Sequence, residues 1–282
     1  MRSEPDAPVC ILSPHFDDAV LDCWSLLGSD EPCTVVNVFG GVPRAGYATW
    51  WDQVCGATSS ADMVLTRIDE DVRALDLAAR VPVNLAFAPT QYRLRPSRVL
   101  HGLLRRVPAL RWRLPTAPVI GRRLWSVPEP DVSDIADAVL EATGPISMVC
   151  APAAIGGHPD HRLTRRVALE LGGRGVPVRL YADLPYCLGR GGWPSSVDGG
   201  PDRADDADIH AFWEQFLERE LGVDERAPRV VELDPTAVER KRRAIAAYAT
   251  QLDALLETAP TLLEERCLRF EAYWEIAPGG RR

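Results

Sequence analysis

Residues 13–20, SPHFDDAV, set one histidine and two adjacent carboxylates directly after a short apolar run. A second cluster of the same kind, GGHPDHR, occupies 156–162. Of five histidines in the chain, His15, His158 and His161 fall in these two stretches. If the stretches meet in space they bring together His15, Asp17, Asp18, His158, Asp160 and His161. Two imidazoles and one carboxylate suit Zn²⁺ held as a three-ligand catalytic site with an open position for water. Taken singly, the residues have plainer uses. Asp17 and Asp18 could start a helix, where hydrogen bonding and the helix dipole favour acids, and His158 and His161 could be solvated loop residues.

Whether the stretches meet depends on the elements that carry them. VCILS (9–13) predicts a buried parallel strand, and DDAVLDCWSLLG (17–28) a helix ending at Gly28. CTVVNVF (33–39) predicts the next strand, residues 59–79 a helix capped by Ser59 or Ser60, and VNLAFA (83–88) a third strand. After a Pro/Arg-rich stretch at 93–130 come a helix (131–142), a strand (146–152), a helix (161–173) and a strand (176–184). A loop insertion at 189–207, helices near 208–221 and 236–257 and a strand at 267–276 complete the chain. This alternation indicates an α/β fold with a parallel sheet. Ligand sites in such sheets lie at the carboxyl ends of strands, so the loops after 9–13 and 146–152 should face one crevice.

Composition narrows the rest. A length of 282 residues without a compositional break predicts one domain over 1–282. No apolar run reaches the eighteen or so residues of a membrane span, and MRSEPDAPVC lacks a signal-peptide core, so a cytoplasmic protein with no transmembrane segment is expected. Net charge −8 argues against nucleic acid as a partner. The seven cysteines contain no C-x-x-C pair and read as buried free thiols. Lys241 is the only lysine. Arg93–Arg123 holds nine arginines and no acid. That segment is either a solvated insertion or a face for an anionic acceptor, such as a nucleotide-linked sugar or lipid headgroups.

The pattern P-H-x-D-D at 14–18 and the H-P-D-H at 158–161 resemble the signatures of the LmbE-like/PIG-L zinc-dependent de-N-acetylases. YADLPY (181–186) and KRRAIAAYATQ (241–251) look like further segments of that family. The resemblance implies a Rossmann-like α/β fold, mostly parallel, with helices flanking the sheet. It implies His15, Asp18 and His161 as zinc ligands, Asp17 as general base, and His158 as the acid or electrophile beside the developing oxyanion, oriented by Asp160. Zinc can lower the pKa of bound water from about 15.7 to about 7, which supplies a nucleophile at neutral pH, and a cationic His158 would add to oxyanion stabilisation. Fe²⁺ or Co²⁺ could occupy the same ligands.

For the substrate, Arg67 matches an arginine that holds sugar hydroxyls in the family; its alternative is a helix ion pair with Glu70 or Asp71. Tyr92 and Arg93 are further substrate-binding candidates. Pro89 and Thr90 stand where some sugar deacetylases carry an acid, and Gly156 stands where the mycothiol-pathway members have a tyrosine; both argue against N-acetylglucosaminyl-inositol as substrate. The expected function is metal-dependent removal of an N-acyl group, in the first place N-acetyl, from an amino-sugar or glycosylated metabolite. An amidase on a thiol conjugate and a catalytically inactive, metal-containing sugar-binding module are the alternatives. A Rossmann-type nucleotide binder is disfavoured, because SPHFDDAV has no glycine and two charges that repel phosphate.

Overall fold

The computed structural model describes residues 7–44, 48–49, 52–53, 55–93, 95–96, 125–126, 128–190 and 229–276. Strands β1 (Val9–Ser13), β2 (Cys33–Asn37) and β3 (Pro82–Asn84) run parallel on one side of the central sheet. A two-stranded ribbon, β4 (Arg95–Pro96) and β5 (Trp125–Ser126), stands apart. Strands β6 (Met148–Pro152), β7 (Val178–Tyr181), β8 (Arg229–Glu232) and β9 (Phe270–Ile276) complete a seven-stranded sheet of order β3-β2-β1-β6-β7-β9-β8. The chain moves outward from β1 to β3, then returns to place β6 on the other side of β1. The order therefore reverses between β1 and β6, which opens a crevice at their carboxyl ends. Both histidine motifs follow those two strands.

The chain is a mixed α/β protein whose sheet is flanked by helices, as the sequence predicts. Helices α1 (Asp18–Asp22) and α2 (Trp24–Leu27) follow β1, α3 (Ser60–Asp76) precedes β3, and α4 (Thr90–Arg93) follows it. Then come α5 (Val132–Thr143), α6 (Pro159–Gly173), α7 (Tyr186–Arg190), α8 (Pro235–Ala246), α9 (Ala249–Thr258) and α10 (Glu265–Leu268). Ser59 caps α3, its side chain accepting from the Asp62 N–H. Val9 to Leu12 of β1 are buried in one core with Val35 and Val36 of β2, Val149 of β6 and Leu180 of β7. Each such aliphatic side chain contributes about 1.5–3 kcal/mol on burial. Of the free cysteines, five are buried and Cys33 and Cys55 half-buried. Among the described residues no helix is long and apolar enough to cross a membrane.

Several elements differ from expectation, each through a contact distant in sequence. The helix expected over 17–28 breaks at Cys23, because the buried carboxylate of Glu271 on β9 accepts the N–H groups of Trp24 (2.7 Å) and Ser25 (2.9 Å) and starts a new turn. Glu271 is in turn held by the lone lysine, Lys241 Nζ, at 2.8 Å with both side chains inaccessible. The helix expected over 236–257 divides at Tyr248, whose hydroxyl donates to Phe16 O and Asp71 Oδ1. The third strand ends at Asn84, not 88, after which Ala86 bridges Phe39 in the antiparallel sense. Strand β8, exposed and at the sheet edge, has no apolar alternation to announce it. The expected helix near 208–221, most of the loop insertion at 189–207 and Arg98–Arg123 lie outside the described residues.

Removing one partner of a buried ion pair leaves an uncompensated charge and costs about 3–5 kcal/mol. Lys241→Met should therefore lower stability by an amount of that order in urea denaturation, through Glu271 and the start of α2. An unchanged unfolding midpoint would show that Glu271 is not the anchor described.

Candidate active site

The two motifs meet. Nitrogens of His15, His158 and His161 lie within 4.8 Å of one another at the carboxyl ends of β1 and β6. His161 sits in the first turn of α6, where His158 is the N-cap and Pro159 the first helical residue, a position where proline suits the helix. The helix thus begins two residues before 161, and its start builds the motif. Asp17 precedes α1 but makes no capping hydrogen bond, so the simple capping use of this acid is not what the structure shows.

Each inner imidazole has one nitrogen tied to a buried carboxylate. His15 Nε2 lies 3.1 Å from Asp160 Oδ2, and His161 Nδ1 lies 3.1 Å from Asp183 Oδ2. With those nitrogens donating, His15 Nδ1 and His161 Nε2 are the nitrogens left to face a cation, His15 Nδ1 once its proton is displaced. The two face Asp18: Oδ2 is 3.3 Å from His15 Nδ1, and Oδ1 is 3.5 Å from His161 Nε2. His161 Nε2 is buried without a hydrogen-bond partner among the described residues. An orphaned imidazole lone pair beside a carboxylate, with its other nitrogen held by a second carboxylate, is the donor set of a divalent-cation site. The residues fit such an ion.

Charge follows the same geometry. Burial opposes protonation of His15, but its bonds to Asp160 and Asp18 outweigh this and raise its pKa from 6.5 to about 10. Burial likewise works against Asp18, yet His161 and His15 hold it down at about 2. Burial, then the charges of His15 and His161, lower His158 to about 3. His158 is therefore neutral, not the cation expected from the sequence. Its Nδ1 accepts the Asp160 N–H at 3.3 Å, which leaves Nε2–H as a donor.

A cleft of about 280 Å³ opens on this cluster. His15, Asp17, Asp18, His158, Asp160 and Arg67 line it, but Tyr92 and Arg93 do not. Arg67 NH2 meets Asp17 Oδ1 at 3.2 Å, while Glu70 bonds Thr250 and Asp71 bonds Asn37 and Tyr248, so the helix ion pair does not form. Tyr92 OH donates to Asp52, and Arg93 binds Asp160 and the Thr90 hydroxyl. These two expected substrate contacts are supports behind the wall. The Asp160 carboxylate, expected to orient His158, is spent on His15, Arg93 and the N–H and hydroxyl of Thr90. Sequence reasoning missed Asp183, Gln91, Tyr186 and Gln251. Asp183 and Tyr186 lie within YADLPY, a segment whose resemblance carried no residue roles.

Fold and site together define a class: a Rossmann-like protein that gathers imidazoles and carboxylates, a donor set that fits a cation, at the sheet's switch point. No family model matches the sequence. The chain is similar to 2'-N-acetylparomamine deacetylase of Niallia circulans, 26% identical over 207 residues, covering 62% of this chain. It spans 66% of that relative's length. In structure it is similar to the zinc-inhibited form of the teicoplanin deacetylase Orf2 (TM-score 0.62, 24% identity, 98% of this chain and 100% of that one). It is also similar to a deacetylase–teicoplanin complex (0.60, 25%, 95% and 97%). The A40926 pseudoaglycone deacetylase Dbv21 gives 0.60 at 23% identity over 99% and 100%. These likenesses are all to deacetylases, in line with the resemblance of the two motifs to the LmbE-like/PIG-L signatures.

Two outcomes are expected in metal-binding measurements. Asp183→Asn, which weakens the hold on His161, should reduce affinity for a divalent ion by about 10–100-fold; unchanged affinity would contradict the support role. Because the metal-free site keeps a proton on His15 up to about pH 10, cation binding must displace it. Apparent affinity should then rise about tenfold per pH unit between roughly pH 7 and 9. An imidazole of ordinary pKa would give no slope there.

Proposed function

We propose that the chain is a metal-dependent hydrolase that removes an N-acyl group, acetyl in the first instance, from an amino-sugar or glycosylated metabolite. Zinc is the metal, and His15, Asp18 and His161 are its ligands. The observation that carries this reading is the pair of inward-facing nitrogens, His15 Nδ1 and His161 Nε2, on either side of Asp18 with Asp17 next in the chain. Asp18 is preferred to His158 as third ligand because the Nδ1 lone pair of His158 is already taken by the Asp160 N–H. Similarity to an acetylparomamine deacetylase and to teicoplanin deacetylases supports the substrate class.

A bound divalent cation supplies Lewis acidity, which acidifies water and polarises a carbonyl. The chain's own residues do the rest. Arg67 holds Asp17 through Oδ1, and Oδ2 has no partner among the described residues, so it is available to take a proton from water. Asp17 then returns that proton to the departing amine. His158 donates from Nε2 to the amide oxygen as negative charge grows there, a contribution of about 2.7–4 kcal/mol for one well-placed donor. Asp160 and Asp183 keep the inner imidazoles in their tautomers. The reading places the enzyme in the cytoplasm. No observation in the described residues supports a nucleotide- or lipid-linked substrate.

Asp17→Asn tests it. The variant should bind metal as the wild type does and release acetate from acetylated amino-sugars about 10²–10⁴-fold more slowly. Metal should be titrated rather than added in excess, since a related deacetylase is known in a zinc-inhibited form. Turnover retained by the variant would rule out Asp17 as the base.

A further inference from the structure

The lining of the cleft is of two chemical kinds. Arg67, Gln91 and Gln251 present hydrogen-bonding groups. Leu21, Leu184, Pro185 and the ring of Tyr186 present none but the Tyr186 hydroxyl. The apolar group adjoins the imidazole cluster: Leu21 lies one turn after Asp18, Leu184 follows Asp183, which holds His161, and the Tyr186 ring packs against His158 and His161. An amide whose carbon sits beside Asp17 and His158 carries a hydroxylated ring, which suits the polar groups, and an acyl chain with no polar atom beyond its carbonyl, which suits the apolar ones.

Leu21 and Leu184 are buried and Tyr186 is half-buried, with its ring against the cluster, so an acyl chain lying on these residues meets that ring as it lengthens. That ring is gripped on three sides. It meets His161 edge-on at 5.2 Å between centroids, and stacks on His158 at 6.3 Å. Behind it is Gly156, where a Cβ would stand 2.3 Å from the ring's Cδ1 and 2.4 Å from Cγ. Gly157 next door needs glycine for its φ of +69°; Gly156 needs it for room.

We propose that Tyr186, seated against Gly156, is the end wall of the acyl subsite and limits the acyl group to acetyl. This rests on the deacylase reading above. The test compares N-acetyl-, N-propionyl- and N-butyrylglucosamine, and separately the binding of free acetate, propionate and butyrate to the zinc-loaded protein by calorimetry. Wild type should lose about tenfold or more in kcat/KM per added methylene. Tyr186→Ala, or Tyr186→Leu if the alanine variant does not fold, should shrink the acetyl-to-butyryl preference about tenfold or more. Tyr186→Phe, which keeps the ring and removes the hydroxyl, should keep the wild-type preference. The same ladder should appear in carboxylate binding. If wild type hydrolyses none of the glucosamines, the deacylase reading loses its support while the carboxylate ladder still decides the wall. A preference that survives Tyr186→Ala or Tyr186→Leu, or wild-type carboxylate binding indifferent to chain length, would overturn the proposal.

Discussion

Two buried carboxylates, Asp160 and Asp183, each hold one nitrogen of an imidazole, and this constraint determines what the rest of the site can be. A histidine ring tied at one nitrogen must present the other, and the fold directs both free nitrogens toward Asp18. Burying carboxylates is unfavourable unless hydrogen bonds and opposite charge compensate. Asp160 has four such partners, counting both Thr90 groups, and Asp183 accepts from the Ile155 N–H as well as facing His161. The cluster without a cation keeps a proton on His15. A divalent ion would replace that proton and pair the His161 nitrogen that otherwise has no partner.

The sheet explains why these groups lie together although about half the chain separates them. Strands β1 and β6 are neighbours only because the chain turns back after β3, and their carboxyl ends deliver the two motifs to one crevice. The terminal strand contributes from a distance. Glu271 starts a new turn at Trp24, which shortens α1 to the segment carrying Asp18 and Leu21. Tyr248 breaks the α8–α9 run, and α9 then carries Gln251 and Leu255 to the cleft. Site geometry thus depends on packing well outside the motifs.

Much of this was legible in the sequence where a local pattern reports a local structure. The apolar run at 9–13, the Ser59 cap and the alternation of strands and helices each correspond to an observed element, and the histidine motifs fall at strand ends as the α/β rule requires. Local patterns fail where a distant partner decides. Nothing in DDAVLDCWSLLG foretells that Glu271 will interrupt the helix, and nothing in KRRAIAAYATQ foretells that Tyr248 will reach Asp71. The same limit applied to Asp160. Beside His158 in the chain, it suggests a partner for that ring, whereas in three dimensions its carboxylate faces His15. Glycine at 156 acquires its reason only when the ring of Tyr186 is seen against it.

The most direct test of the central claim is anomalous diffraction at the zinc edge from crystals of the stoichiometrically loaded protein. The account requires one strong peak within bonding distance of His15 Nδ1, an oxygen of Asp18 and His161 Nε2, with His158 unbonded. A peak elsewhere in the molecule, or one bonded to His158 in place of Asp18, would contradict it.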